Sequence, residues 1–335
     1  MQQAYALDAV EQRKLRFLYQ QSGIDTRHSV VADYSHPLPD WKFYPHNEQL
    51  EPFPNLEMRM LWYQKHAAPL SVDAIRNCLG QHTPTQSITH LITVSCTGMS
   101  APGLDLQLLE LLDLPRQTFR TSINFMGCYA AIHGLKIADA LCKADAAARV
   151  LVVCTELCTL HFQKDPSPDN LASTLLFADG SAAALVVPDT VARPGWQLEN
   201  FYSEVVPGGK RDMAWELSSS GFQMTLSGYI PELIEADFAA LVQRALQQTN
   251  RQRSEVQHWC IHPGGRRILE AISRSLQLPG DALQASYDVL RQYGNMSAPT
   301  LLFVLQQLTR SANGPLFAAA FGPGLTMETF TARYA

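Results

Sequence analysis

Residues 121–135, TSINFMGCYAAIHGL, place a cysteine directly after a glycine and at the start of a helical pattern. From Cys128 onward, apolar residues recur at positions 131, 132, 135, 138 and 142, which is the spacing of one buried helix face. The pattern predicts that Cys128 lies in the first turn of a helix. Free backbone N–H groups and the helix dipole favour a thiolate there, so we expect a nucleophile more acidic than an ordinary thiol of pKa ~8.5. The alternative is a cysteine that only packs a core helix.

The segments around this stretch alternate between β-rich runs and helical patterns. Residues 150–154 are apolar throughout, as in strands that are buried on both faces of a parallel sheet. Other strands are predicted at 88–95, 121–125, 198–205, 258–261 and 316–321, and residues 175–187 are predicted to form a turn followed by another buried strand. Helices are predicted at 7–21, 55–78, 234–248, 267–276 and 299–308. The alternation predicts an α/β fold with largely parallel strand pairing. The proline-containing segment 188–194 is the predicted seam between two halves, 1–190 and 191–335.

Composition limits the class of protein. The 335 residues are 46% hydrophobic and 17% charged, with a formal net charge of −5, which is typical of globular enzymes. The densest basic group is Arg13, Lys14 and Arg16, too small a face to predict nucleic-acid binding. Because no window approaches the ~20 apolar residues of a membrane span and the beginning, MQQAYA, lacks signal-peptide features, we expect a cytoplasmic protein.

The cysteines predict reduced thiols rather than a disulfide framework or a metal site. The chain has 7 cysteines, an odd number in a long chain without a secretion signal. Cys154 and Cys158 have neither the spacing nor the second pair that a zinc site needs.

Three later segments supply residue types that can work with a cysteine nucleophile. His262, in WCIHPGG, stands where an apolar strand ends and a glycine turn begins, which is where parallel-sheet proteins build sites. Asn295, in YGNMS, directly precedes a helical pattern. The run FGPG at 321–324 closes the last predicted strand with glycines that let the backbone approach a ligand. Taken singly, these segments are better explained as a loop histidine, a helix cap or turn residue and a simple turn.

Together the motifs resemble the type III polyketide synthases, the chalcone-synthase-like branch of the thiolase superfamily. The resemblance extends from about residue 88 to the end and rests on MGCYA at 126–130, LFADG at 176–180, IHPGG at 261–265, GNMS at 294–297 and FGPG at 321–324, in the family's order. It implies a thiolase-like αβαβα fold of five layers with duplicated halves. The first half would carry the nucleophile and the second the histidine and asparagine, and the protein would be a homodimer.

The resemblance also implies an acyltransferase whose catalytic residues are Cys128, His262 and Asn295. Cys128 would accept an acyl group from a starter acyl-CoA, giving a covalent intermediate. His262 and Asn295 would stabilise the negative charge that develops as malonyl-CoA loses CO₂. Repeated condensation and ring closure would give a pyrone or a resorcinol-type product. No metal or redox cofactor is implied, because coenzyme A thioesters serve as substrates.

Further binding residues are carried over from the family's motifs. Phe177 is expected at the junction between a coenzyme A tunnel and the reaction cavity. The residues expected to contact substrate are Phe177, Cys96, Thr97, Trp215, Met224, Ser297, Gly322, Pro323 and Gly324. Those expected to contact coenzyme A are Lys14, Arg16, Gly264 and Gly265.

Departures from the family's pattern concern the substrate. Trp215 and Met224 stand where plant members often have a glycine and a phenylalanine. The runs 154–158 and 161–165 are more similar to bacterial members that make alkylpyrones or alkylresorcinols. The strand that usually precedes the family's first helix is not evident before residue 7. We therefore expect an alkyl starter rather than a plant aromatic one.

Two other functions fit parts of the pattern. A ketoacyl-ACP synthase III uses the same three residue types for a single condensation and depends on an acyl carrier protein. A non-catalytic binding protein of thiolase fold would be expected to have lost a catalytic residue, and none is lost here. The motifs IHPGG and FGPG favour the polyketide branch over the single-condensation enzyme.

Overall fold

The structure is a computed structural model that describes residues 5, 7–191, 193–206, 209, 212–310 and 313–335. Its helices are α1 Ala9–Gln21, α2 Leu56–Leu79, α3 Leu104–Leu111, α4 Ala130–Ala144, α5 Pro168–Leu176, α6 Ile230–Gln247, α7 Arg266–Leu276, α8 Gln284–Tyr293 and α9 Pro299–Thr309. Its strands are β1 His90–Ser95, β2 Phe119–Asn124, β3 Val150–Leu157, β4 Asp179–Val186, β5 Trp196–Val205, β6 Met213–Ser218, β7 Gly221–Leu226, β8 His258–Ile261, β9 Gly314–Gly322 and β10 Thr326–Tyr334.

Most of the strands belong to two four-stranded sheets, in the orders β2-β1-β3-β4 and β5-β10-β9-β8. Pairing is parallel between β1 and each of β2 and β3, and between β8 and β9. It is antiparallel between β3 and β4 and on both sides of β10. The prediction of largely parallel pairing is therefore wrong for the second sheet. Only the short turn Pro323–Leu325 joins β9 to β10, and a turn that short returns the chain antiparallel.

Successive side chains of the central strands point to opposite faces of each sheet, and helices pack against both faces. On β3, Val152 packs in the central cluster with α4, α9 and the second sheet, whereas Leu151 packs with α2 and α3. On β9, Ala318 belongs to the central cluster, whereas Phe317 packs with α6 and α7. The layers are thus helices, sheet, helices, sheet, helices. This arrangement confirms the predicted αβαβα class.

The nucleophile segment forms the local structure that the sequence predicts. Cys128 lies in the short 3₁₀ turn Gly127–Tyr129, which leads directly into α4. Gly134 lets α4 approach the first sheet, because a Cβ at this position would be 2.8 Å from a Val152 methyl group. The first turns of α4 therefore pack closely on β1 and β3.

The beginning of the chain contains α1 but only part of the segment before it is described. Residues 1–4 and 6, in the region that precedes the predicted first helix, lie outside the described residues. Within the described ranges, no helix is long and apolar enough to cross a bilayer.

The packing of the outer helical layer can be tested with Phe238→Ala. Phe238 is fully buried in α6, and its ring centroid lies 5.6 Å from that of Phe321 on β9. Because truncation leaves a cavity between helix and sheet, we expect the free energy of unfolding to fall by about 3–5 kcal/mol in urea titrations. Tyr229, 74% exposed just before α6, is the control, and Tyr229→Ala should change stability by less than about 0.5 kcal/mol. Equal losses in the two variants would contradict this packing.

Candidate active site

Cys128 stands on a strained turn between β2 and α4. Phe125 and Gly127 have positive φ angles of 57° and 78°, which glycine adopts easily and phenylalanine rarely. A Cβ at Gly127 would lie 2.4 Å from Pro323 Cδ, so only glycine fits against the closing loop. The Gly127 N–H donates to Cys96 Sγ at 3.0 Å. These contacts fix Cys128 between the end of β1 and the turn that follows β9.

His262 directly follows β8, at the strand end where the sequence predicts it. Its backbone N–H donates to the Ala319 carbonyl at 2.9 Å, which ties it to β9. The side chain is fully buried, and neither ring nitrogen has a hydrogen-bond partner among the described residues. Burial lowers the pKa of His262 to about 3, so the ring is neutral at pH 7. Buried polar atoms are rarely left unpaired, and these two nitrogens are available to a ligand.

Asn295 is held by both its backbone and its side chain. Its backbone pairs with Phe177 in an isolated parallel bridge, and its N–H donates to the Leu176 carbonyl at 2.9 Å. Its side-chain Oδ1 accepts from the Ser297 N–H at 2.8 Å, and Nδ2 donates to the Gly264 carbonyl at 3.3 Å. An amide nitrogen carries two N–H groups, and besides the bond to Gly264 the Asn295 side chain also hydrogen-bonds towards Cys128.

One cavity of about 880 Å³ brings these residues together. Its lining includes Cys128, His262, Asn295, Cys96, Thr97, Phe177, Trp215, Met224, Gly264, Ser297, Pro323 and Arg16. Of the described residues that the sequence singled out, Lys14, Gly265, Gly322 and Gly324 do not line it. Gly322 instead packs against the nucleophile turn, where a Cβ would lie 2.5 Å from the Tyr129 ring.

The protonation of Cys128 differs from the expectation. Burial raises the pKa of Cys128 to about 12, although the neighbouring Ser297 and Asn295 side chains act in the opposite direction. The helix start is present, but the thiol is buried and receives no hydrogen bond from His262. The cost of ionising a thiol that is shielded from water therefore outweighs the stabilisation of the thiolate by the helix start. The predicted lowering of the pKa is wrong for this structure, in which thiol and imidazole are both neutral.

Glu156, which the sequence analysis did not assign, lies buried beside the cavity. Its Oε2 accepts from the Cys96 N–H at 2.9 Å and from the Thr97 hydroxyl at 2.7 Å. Its Oε1 is buried without a partner in the part of the chain that the structure describes. Burial raises the pKa of Glu156 to about 7. The signal in the sequence was a carboxylate close behind the apolar run 150–154, within a strand that is buried throughout.

His161 is the second residue that was not assigned, and it fixes one wall of the cavity. Its Nε2 donates to the Thr97 carbonyl at 2.7 Å, and its Nδ1 accepts from the Phe222 N–H at 3.1 Å. Its ring stacks on Phe222 at 4.3 Å between centroids, and Trp215 packs edge-on against both rings. Trp215 Nε1 also donates to the Cys96 carbonyl at 2.7 Å. Trp215 is therefore held rigidly.

The hairpin β6–β7 supplies an apolar wall. Its strands pair with each other and with neither four-stranded sheet. The residues that line the cavity from its inner face are Met213, Trp215, Phe222, Met224 and Leu226. Gln223, between two of them on β7, is exposed on the opposite face.

The chain matches the family models of the chalcone and stilbene synthases along nearly its whole length. Residues 5–190 match the N-terminal domain and residues 197–334 match the C-terminal domain. The chain is 32% identical over 332 residues to the alpha-pyrone synthesis polyketide synthase-like Pks18 of Mycobacterium tuberculosis, covering 96% of this chain and 82% of that protein. It is also 32% identical over 325 residues to the probable polyketide synthase 1 of Dictyostelium discoideum, where the match covers 94% of this chain but 10% of that protein.

Solved structures share the fold. PKS-I from the brown alga Ectocarpus siliculosus has a TM-score of 0.90 at 28% identity, covering 99% of this chain and 92% of that one. The 1,3,6,8-tetrahydroxynaphthalene synthase from Streptomyces coelicolor has a TM-score of 0.85 at 26% identity, covering 98% and 91%. These similarities agree with the five-layer arrangement and confirm the fold class.

Glu156→Gln tests the buried carboxyl group. Its pKa of about 7 in the folded protein exceeds the ordinary value of 4.5, so the folded chain retains a proton that the unfolded chain releases between these values. Wild-type stability should therefore fall relative to the variant as the pH rises through this window, by roughly 3 kcal/mol, and then level off. Urea unfolding between about pH 5 and 8 measures the difference. Burial also raises the pKa of Asp179, to about 6. Asp179 titrates in both proteins, so its contribution cancels in the stability difference between wild type and variant. A difference independent of pH would contradict the raised pKa.

Proposed function

The chain is a type III polyketide synthase of the chalcone and stilbene synthase family, and from this premise we propose that Cys128, His262 and Asn295 are its catalytic residues. Members of this family are acyltransferases that use coenzyme A thioesters. The observation that carries the proposal is the buried His262 ring, whose two nitrogens have no protein partner in the described residues while the ring lines the same cavity as the thiol and the amide.

The first proposed step loads the starter. Cys128 Sγ attacks the thioester carbonyl of an acyl-CoA, and the thiol proton passes to His262 as the new carbon–sulfur bond forms. The old thioester bond then breaks, and the departing coenzyme A thiolate takes a proton back from His262. This order of events suits a thiol and a ring that are both neutral at rest. Cys128 gives up its proton only as it attacks the thioester, and His262 carries a positive charge only until coenzyme A leaves.

The second proposed step extends the chain. His262 and the Asn295 N–H group beside Cys128 hold the thioester oxygen of malonyl-CoA while its carboxylate leaves as CO₂ and an enolate forms. The enolate carbon attacks the acyl group on Cys128, which releases the cysteine and leaves a chain two carbons longer on coenzyme A. The hydrogen bonds to Ser297 and Gly264 support this role, since they fix the direction of the Asn295 amide.

Two of the proposed coenzyme A contacts, Arg16 and Gly264, line the cavity. Arg16 is exposed, lines the cavity and has no ion pair in the described part of the chain, so it can meet a phosphate. Gly264 lines the cavity beside His262, where a pantetheine arm would pass. Phe177 would separate this tunnel from the reaction cavity. Lys14 and Gly265 do not line the cavity, so they would contact coenzyme A only outside it.

We further propose a starter with an alkyl chain and a product of the pyrone or resorcinol type. The apolar hairpin face can surround a flexible chain, with Met224 as the most adaptable of its side chains. Trp215, fixed by its hydrogen bond to Cys96, would limit the space for extension to a tri- or tetraketide. The small residues Cys96 and Thr97 line the same cavity and adjoin the Trp215 wall through the hydrogen bonds of Trp215 to Cys96 and of His161 to Thr97.

We also propose a division of the chain into two duplicated halves and the assembly of two chains into a homodimer. The halves 1–190 and 191–335 would be the duplicated units, since the first holds β1–β4 and the second holds β5–β10. A homodimer is supported by β2, the edge strand of the first sheet, where Phe119 is 70% exposed. An apolar side chain on an open sheet edge is suited to burial against a second copy.

Asn295→Ala should separate loading from extension. We expect Cys128 to take up the starter as before, while product formation from malonyl-CoA slows by about 10²–10³-fold, as for other lost oxyanion donors. Peptide mapping by mass spectrometry gives the site of the acyl group, and product analysis gives the rate. Cys96 and Cys158 line the same cavity and serve as internal controls. An acyl group on either of them, or extension at the wild-type rate, would overturn the assignment.

Chain-length preference tests the proposed starter. Each methylene buried contributes about 0.8 kcal/mol, so kcat/KM should climb by about fourfold per methylene from acetyl-CoA upward until the cavity ends. Met224→Phe should lose the long starters by at least about tenfold and retain acetyl-CoA, because the ring narrows the apolar wall. Gln223→Phe, on the opposite face of the same strand, should behave as wild type. A flat or falling wild-type profile would rule out an alkyl starter while leaving the catalytic assignment intact.

A further inference from the structure

Helix α1 exposes apolar side chains that the fold does not use. Val10, Phe17 and Leu18 are 57%, 59% and 45% exposed, whereas Leu15 is buried on the other side of the helix. At 100° per residue, the three apolar residues lie within one third of the helix circumference. Lys14 falls between them and Arg13 flanks them. We call this surface, made of Val10, Arg13, Lys14, Phe17 and Leu18, the α1 outer face.

The charge on α1 is positive and unpaired, although the whole chain has a net charge of −5. Arg13, Lys14 and Arg16 are exposed, and none of them has an ion pair within the described ranges. By contrast, exposed arginines of α7 pair with carboxylates, as Arg274 does with Glu235 at 2.7 Å. The acidic residues at the start of α1 are occupied in its capping box. Their side chains bind backbone N–H groups rather than the basic residues.

The α1 outer face lies beside the opening of the cavity. The inner side of the same helix lines the cavity through Leu15, Arg16, Tyr19 and Gln20. Arg16 and Gln20 are also exposed, so the cavity reaches the surface there. Coenzyme A binding would account for Arg16, but it gives no reason for exposed Val10, Phe17 and Leu18.

We propose that the α1 outer face binds the surface of an anionic lipid bilayer. Basic residues on such a helix meet lipid phosphates, while its apolar residues enter the boundary between headgroups and acyl chains. A single exposed helix is a convex ridge, which a deformable bilayer can surround. A folded acidic protein would need a matching groove to bury the same side chains. The ridge therefore favours lipid over a carrier protein.

Bilayer binding would place the cavity opening at the interface where amphiphilic acyl chains concentrate. That consequence rests on the proposed acyl-CoA function, whereas binding itself does not. A sedimentation assay with vesicles separates the two, because it measures bound protein without any turnover. Loss of binding with normal catalysis, or the reverse, would show which of the two proposals fails.

The test uses the full chain with vesicles of equal parts phosphatidylglycerol and phosphatidylcholine, compared with pure phosphatidylcholine. We expect binding to the anionic vesicles at low salt, with release at high salt because exposed charges are screened. Phe17→Ser/Leu18→Ser should weaken binding by at least about tenfold. Arg13→Glu should weaken it by more than about fivefold, since one basic residue near an anionic surface contributes about that factor and a reversal adds repulsion. Arg13 is chosen because Lys14 and Arg16 have proposed roles with coenzyme A.

Matched controls are Tyr229→Ser and Arg253→Glu, exposed positions away from α1 that should bind vesicles as wild type does. Circular dichroism checks that each variant is folded, and the single charge reversal keeps the test valid should the double serine variant misfold. The proposal is overturned by absence of wild-type binding to anionic vesicles, or by equal losses in the controls. Binding of an acidic acyl carrier protein through the same residues, without vesicle binding, would also overturn it.

Discussion

The close contact between two backbone turns determines where the candidate nucleophile lies. Gly127, just before Cys128, packs on Pro323, and Gly322 packs on Tyr129, so that a Cβ at either glycine would come within 2.4 or 2.5 Å of the opposing ring. One turn ends β2 and the other ends β9, so the contact links the two sheets at the cavity. Because the helices between the sheets set their separation, any change in that packing would move the thiol relative to His262, which is anchored to β9.

The sequence predicted best those elements whose burial leaves a periodic pattern. The apolar run of β3 and the helical spacing after Cys128 were sufficient to place both elements. Strand pairing in the second sheet was not predictable from alternation, since it depends on the short turn after β9. The pKa of Cys128 was also beyond local reasoning, because the residues that exclude water from it come from distant parts of the chain. The sequence shows Glu156 as an unexpected charged residue in β3, but only the fold shows that its carboxylate accepts hydrogen bonds from Cys96 and Thr97.

Electrostatically, the cavity avoids permanent charge around the candidate catalytic groups. Burial keeps Cys128 protonated and His262 unprotonated, and it brings the pKa of Glu156 close to 7. An apolar acyl chain can therefore reach the candidate catalytic groups without displacing strongly hydrated ions. Under the proposed mechanism, charge arises only during reaction, when oriented N–H groups are already in place to stabilise it. Such preorganisation requires no reorientation of dipoles at the moment of reaction.

The separation of the hairpin β6–β7 from both sheets has a consequence for how this fold can diversify. Its strands pair with each other and with neither four-stranded sheet, yet its inner face forms a large part of the cavity wall. Substitutions on that face alter the shape of the chamber without disturbing the pairing register of the sheets that anchor Cys128 and His262. Apart from the hydrogen bond of Trp215 to Cys96, the strand pairing that anchors the candidate catalytic residues is thus separate from the surface that would shape the product. One can be kept constant while the other is varied, so a single architecture can yield many different molecules.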